Sequence, residues 1–225
     1  MKDNAEGINK KRINSIDIFR YICAILVVAV HATPFTEINS TIAYIFEAIL
    51  PRIAVPFFFA ISGYYYIKKI TKDSVNINHI FWTYTKKLLI VYSLWSIVYI
   101  AIEAFQNMGE EFQLITFLKH IVVAYFVNGS YYHLWFFPAL FFSIIIVTFF
   151  TKIKKLNLLA YISLILYIIG CLGCSYFEIG NQIPLIRDLI NFSKFTLIRR
   201  VLLMGLPFFT IGYFINKIQS NNKKI

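Results

Sequence analysis

Six runs of apolar residues, separated by more polar segments of which several bear lysines, constrain this chain more than any other feature. They fall at 18–34, 47–67, 88–103, 133–150, 156–174 and 199–216. A helix needs about 20 consecutive apolar residues to cross the hydrocarbon core of a bilayer. Of 225 residues, 59% are hydrophobic and 15% charged, whereas soluble domains are only about 45–50% apolar. In lipid the backbone must satisfy its own hydrogen bonds. The expectation is an all-α, polytopic transmembrane helical bundle of about six spans. The second run holds Pro51, Pro56 and Ser62-Gly63, which predicts a kink or a short broken helix before the span. A signal peptide is the rival reading of the first run, because Val30-His31-Ala32 resembles a cleavage site. The further spans and the long apolar stretch favour an uncleaved anchor.

Charge sets the expected orientation. The net charge of +11 is compatible with nucleic-acid binding in general, but here the cations sit in clusters between apolar runs, as the positive-inside rule requires. No nucleic-acid partner is expected. Residues 112–128 are apolar but carry Lys119 and His120 at their centre. If they crossed the membrane, the cluster Lys152, Lys154 and Lys155 would face outward. They are therefore read as an outer amphipathic or re-entrant helix. The inner side then holds 16 Lys and Arg against 4 acids, and the outer side 6 against 7. This gives a cytoplasmic N-terminal segment (1–16), a transmembrane domain (17–217) and a cytoplasmic tail (218–225), in the plasma membrane with both termini inside. The 68–87 loop, with five lysines, is inside; the acidic loop around Glu103, Glu110 and Glu111 is outside.

The chain has no Walker loop, His-Glu-x-x-His site, Gly-x-Ser-x-Gly elbow or dinucleotide glycine fingerprint. Cys23, Cys171 and Cys174 give no disulfide framework, and Cys171-Leu-Gly-Cys174 lies at the end of an apolar run without a partner pair. These cysteines read as small buried hydrophobes, and no metal site is expected. What remains is polar side chains at the membrane: Asp17, Arg20, His31, Arg52, Ser62, His133 and Trp135, with Arg199 and Arg200 at the start of the last run. Arg20 and His31 are eleven residues apart. On a helix that is about 1100°, so they share a face, separated by about 16 Å along the axis. Each alone has a plain explanation, snorkelling for Arg20 and an interfacial position for His31. The aligned pair points to a polar track through the protein. Asp17 lies three residues before Arg20 and can orient its guanidinium. An arginine fork suits a phosphate-bearing donor, and a histidine suits removal of a proton from an acceptor hydroxyl. A proton-coupled transporter would use the same residue types.

The segment Asn14-Ser15-Ile16-Asp17-Ile18-Phe19-Arg20, with His31 ten residues beyond, resembles the opening motif of the acyltransferase-3 family of membrane acyltransferases. Pro51-Arg52-Ile53-Ala54-Val55-Pro56-Phe57-Phe58-Phe59, followed by Ile61-Ser62-Gly63-Tyr64, is similar to its second-span motif. His133-Leu134-Trp135-Phe136-Phe137-Pro138-Ala139-Leu140 and Gly205-Leu206-Pro207-Phe208-Phe209 through Gly212-Tyr213 resemble two later segments, in the family's order. The region from Tyr131 to Leu140 is also similar to the membrane domain of vancomycin-resistance serine racemases. The resemblance implies transfer of an acyl group, commonly acetyl, from acyl-CoA to a hydroxyl of a cell-surface carbohydrate or related acceptor. It makes Arg20 and His31 catalytic, and Asp17, Arg52, Ser62, His133 and Trp135 substrate-binding. Acyl-CoA is then a donor substrate, and no resident cofactor is implied. Members of the family usually carry about ten spans, so the resemblance also implies C-terminal truncation. Lys86 and Lys87 stand where many members have an arginine cluster, keeping the charge without the bidentate fork. The alternatives are a transport or permeation domain of the serine-racemase type, in which His31 couples protons or binds substrate, and an inactive fragment.

Overall fold

Within the first apolar run, a helix of 19 residues, α1 (Asn14–Ala32), carries Asp17 in its first turn and His31 in its last. A carboxylate in the first turn complements the helix dipole. The computed structural model describes residues 14–72, 75–106, 114–173, 175–192 and 199–222. The expectations for Lys2, Lys10, Lys11, Arg12, Glu110, Glu111, Cys174, Lys223 and Lys224 lie outside the described residues. The chain divides into two compact units, Met1–Phe58 and Phe59–Ile225.

In the first unit, α1 ends at a turn before Pro34. Asn39 caps the short α2 (Ser40–Ala43), its side chain accepting from the amides of Thr41 and Ile42 at 2.9 and 3.1 Å. The helical path then changes pitch twice, through a π turn at Tyr44–Ile49 and a 3-10 turn at Leu50–Ile53, before α3 (Ala54–Ile70). Pro51 lacks an amide hydrogen and falls at the start of the 3-10 turn, so the break comes where the sequence offers no donor. The expected broken helix is present, and the apolar helical path runs from Ser40 to Ile70, longer than 47–67. α1 packs against both irregular turns.

The second unit contains the rest of α3 together with α4 (Ile77–Gln106), α5 (Leu114–Val123), α6 (Phe136–Lys152), α7 (Leu156–Gly173), α8 (Phe177–Gln182), α9 (Pro184–Phe192) and α10 (Leu206–Asn222). Two π turns, Ala124–Asn128 and Arg199–Gly205, extend α5 and precede α10. All regular structure among the described residues is helical. Among the described residues, five apolar helical stretches are long enough to cross a membrane: 14–32, 40–70, 77–106, 156–173 and 199–219. α6 is apolar but shorter, at 17 residues. α6 packs on α4, α7, α10 and the second π turn, and α7 packs on α10 and that same turn. Phe59, Tyr66, Val147, Leu159, Leu206 and Phe209 fill the interior. The buried hydroxyls of Ser143 and Thr148 return to their own helices, to Ala139 O and Ile144 O, which satisfies them without water. Outward positions are apolar too, among them Trp82, Leu94 and Ile97 on α4 and Leu164 and Ile165 on α7. A chain with apolar side chains both inside and outside is solvated by lipid.

Three boundaries differ from the sequence reading. α4 begins at Ile77, so half of the expected 68–87 loop is helical and Lys86 and Lys87 lie on a helix. Lysine ends an apolar run, but it is a good helix former and does not end a helix. The expected outer loop after α7 contains α8 and α9. The third difference concerns 112–150. His120 Nε2 lies 3.2 Å from Glu103 Oε1, near the far end of α4. Tyr125 accepts through its backbone oxygen from the Tyr92 hydroxyl at 2.6 Å, and its own hydroxyl lies 2.7 Å from Ser93 Oγ. The segment α5–π turn therefore runs from the end of α4 down to its middle. The chain then turns, and Phe137 at the start of α6 stacks on Tyr92. The helix expected over 112–128 is thus present and packs lengthwise along α4, while α6, at 17 residues, is shorter than the five membrane-length stretches.

The orientation is open to direct measurement. The reading that places lysine clusters inside predicts that Lys154→Cys, in a chain whose three native cysteines are serine, reacts with a membrane-impermeant maleimide only after cells are opened. Glu178→Cys should react in intact cells. Labelling of Lys154→Cys in intact cells overturns that orientation.

Candidate functional site

In the first unit the Arg20 guanidinium donates to Asp17 Oδ1 at 3.3 Å, both side chains being half-exposed. The i,i+3 spacing brings them together on α1. Because α1 is one unbroken helix, His31 shares the face of Arg20 and stands about 16 Å along the axis. Arg52 is exposed on the 3-10 turn against which α1 packs.

Immediately after His31 the backbone is strained. Thr33 has φ 41°, a left-handed conformation that a β-branched residue rarely adopts. The turn is held from across the loop by Glu47, whose carboxylate accepts from the Phe35 amide at 2.6 Å and from the Thr36 hydroxyl at 2.8 Å. Charge-assisted bonds of this kind are roughly twice as strong as neutral ones. Glu47 thereby fixes the end of the helix that presents His31, a role that sequence spacing alone does not reveal.

In the second unit, Ser62 is half-buried on α3 beside Gly63. His133 and Trp135 lie in the turn between the α5–π turn segment and α6. The turn is tightly specified. Gly129 has φ 83°, and a Cβ there would stand 2.4 Å from the Trp135 amide nitrogen. Ser130 donates its amide to the Tyr92 hydroxyl at 3.2 Å and its hydroxyl to Ser96 Oγ at 2.8 Å. Tyr99, Tyr131 and Tyr132 surround the His133 ring edge-to-face, with centroids at 4.9, 5.1 and 5.1 Å, and Tyr99 stacks on Tyr131 at 4.4 Å. The Arg200 guanidinium lies 5.2 Å from the centroid of Trp135. Phe59 packs on Phe136 at 4.6 Å behind it.

This turn lies level with Tyr92 to Tyr99, inside the apolar length of α4. Non-helical backbone at such a level is tolerated where protein buries it or where it lines a wet cavity. The result is a histidine, a tryptophan and an arginine on a rigid aromatic frame. Arg200 was visible in sequence only as a cation at the start of a run, and its partner lies 65 residues away. Tyr131 and Tyr132 were visible only as a doublet beside His133. Among the described residues no group of three or more His, Cys, Asp and Glu side chains is placed to hold a metal.

Membrane-length helices that carry ionised residues and a broken segment at depth define a polytopic membrane protein with polar sites inside its apolar zone. The chain belongs to the acyltransferase-3 family, whose acyltransferase domain matches residues 13–224. It is also similar to two amino-acid racemases of Enterococcus faecalis. One is 32% identical over 185 residues, covering 81% of this chain and 26% of the relative. The other is 29% identical over 213 residues, covering 94% and 29%. A serine/alanine racemase of Enterococcus gallinarum is 32% identical over 172 residues, covering 76% of this chain and 24% of the relative. The chain thus spans about a quarter of the length of these curated relatives. No solved structure matches it.

Proposed function

We propose that the chain transfers an acyl group, acetyl in the simplest case, from acyl-CoA to a hydroxyl of a cell-envelope carbohydrate or related acceptor. The observation that carries this reading is the single unbroken helix, in a member of a membrane acyltransferase family, that holds Asp17, Arg20 and His31. His31 takes the proton of the acceptor hydroxyl while that oxygen attacks the thioester carbonyl. The C–O bond forms, the C–S bond breaks, and the thiolate leaves with the proton returned from the imidazolium. Arg20, oriented by Asp17, pairs with a donor phosphate. Arg52, Ser62, His133 and Trp135 serve the substrates, the last two offering an imidazole and a flat aromatic face to a hydroxyl-rich ligand. The lipid bilayer is the medium.

The test is to incubate membranes containing the chain with radiolabelled acetyl-CoA and follow label into envelope glycans together with release of free thiol. Arg20→Ala should raise the KM for acetyl-CoA by about tenfold or more, as loss of a charge-assisted phosphate contact implies, with a smaller change in kcat. An unchanged KM removes Arg20 from donor binding.

A second reading has its own support in the names of the relatives. The chain corresponds to a fraction of proteins named amino-acid racemases, and a membrane portion of such a protein could pass or bind an amino acid. Uptake of labelled serine by vesicles containing the chain, dependent on His31 and without thiol release from acetyl-CoA, would favour it.

A further inference from the structure

We propose that the lysine-lined cleft between the C-terminal parts of α3 and α10 binds a phosphate ester. The cleft encloses about 430 Å³, and Lys68, Thr71, Lys72, Asn216, Lys217 and Gln219 line it. It lies wholly within the second unit, and the inference does not require acyl transfer.

Three lysines line it, and among the described residues no carboxylate does. Lysines that only keep a surface soluble are free to spread apart. Here the walls are fixed. Lys68 donates to the Tyr64 hydroxyl at 3.1 Å, and that hydroxyl donates to Gln219 Oε1 at 2.9 Å. Asn216 donates through Nδ2 to the backbone oxygens of Tyr64 and Gly212, at 3.0 and 2.7 Å. Complementing a helix end accounts for Lys68 in the last turn of α3. Lys217 lies more than one turn before the end of α10 at Asn222, its ammonium 5.9 Å from the centroid of the Tyr213 ring at the edge of the cleft. Lys72 adds a further charge just beyond the end of α3. Three cations lining one cleft, with amide and hydroxyl groups among them and walls tied by hydrogen bonds, fit a phosphate held by point charges rather than by an arginine fork. Two sources supply that chemistry, the phosphate of a soluble ester and the headgroup of an anionic lipid.

The experiment uses the complete 225-residue chain in nanodiscs and needs neither acyl donor nor acceptor, so its outcome is independent of the acyl-transfer reading. One arm titrates pyrophosphate and glycerol 3-phosphate in phosphatidylcholine discs. The other counts phosphatidylglycerol molecules retained on the purified protein by native mass spectrometry. The variant Lys68→Gln/Lys72→Gln/Lys217→Gln should lose about tenfold or more in affinity, or lose the retained lipid, while the corresponding triple arginine variant keeps binding. Affinity in the wild type should fall as salt rises. Loss in the first arm assigns the site to a soluble phosphate, and loss in the second to a lipid headgroup; either supports the proposal. If the triple glutamine variant does not fold, Lys72→Gln alone, at an exposed position, must still weaken binding. A wild type that takes up none of the three probes, or glutamine variants that bind them as tightly as wild type, overturns it.

Discussion

His31→Ala lowers the acyl-transfer turnover of this chain by about 10²–10⁴-fold, the contribution of a positioned general base, with little change in the KM for acyl-CoA. The expectation rests on the proposed division of labour along α1, in which the guanidinium holds the donor and the imidazole moves the proton. Since Arg20 and His31 stand about 16 Å apart on one helix, removing one leaves the position of the other intact. Their kinetic effects should therefore separate, KM with Arg20 and kcat with His31. Glu47 supplies a control. It holds the strained turn after His31 through the Phe35 amide and the Thr36 hydroxyl without itself acting as the base. Glu47→Gln keeps an oxygen to accept from the Phe35 amide and an NH2 that can donate to the Thr36 hydroxyl, and should keep most of the turnover, whereas Glu47→Ala should lose much of it. Wild-type turnover in His31→Ala, in a correctly inserted protein, removes His31 from the chemistry.

The sequence exposes local order well and long-range pairing poorly. α1 and α7 are legible to within a few residues, because each is an apolar run bounded by polar or turn residues. The Asp17–Arg20 pair follows from helix geometry alone. α4 was cut short because Lys86 and Lys87 end its apolar character, while its backbone hydrogen bonds continue to Ile77. The break between Asn128 and Phe136 depends on contacts with Tyr92, Ser96 and Tyr99, some 30 residues earlier in the chain. No local periodicity encodes such contacts. The same limit hides Glu47, whose partners lie 11 and 12 residues away across a loop, and Arg200 against Trp135. A sequence motif names His133 and Trp135; only the fold shows that they sit in a turn level with the middle of a spanning helix.

Gly212→Ala should prevent α3 and α10 from crossing as they do, and with Gly63→Ala it should be strongly destabilising. A Cβ at Gly212 would stand 2.2 Å from the Tyr64 nitrogen and 2.4 Å from the Gly63 carbonyl carbon. One at Gly63 would stand 1.9 Å from the Phe209 carbonyl oxygen. Both obstacles are backbone, so no side chain can rotate away and the helices themselves must separate. In a membrane the loss is acute, because close backbone approach of small residues, rather than a hydrophobic driving force, holds such helices together. Overpacking commonly costs about 1–3 kcal/mol and occasionally more, and a backbone collision belongs at the upper end of that range. Separation would also pull Asn216 from the Tyr64 carbonyl and Gln219 from the Tyr64 hydroxyl, opening the lysine cleft. Gly170→Ala is the comparison. Its Cβ would meet the Leu203 carbonyl oxygen at 2.9 Å and Leu203 Cβ at 3.2 Å, a much shallower overlap that a smaller backbone shift relieves. Thermal unfolding in detergent should therefore show a large fall in Tm for Gly63→Ala and Gly212→Ala and a modest one for Gly170→Ala. Equal Tm values for Gly212→Ala and wild type would mean that the α3–α10 crossing is looser than a backbone contact and that the cleft built on it is not fixed.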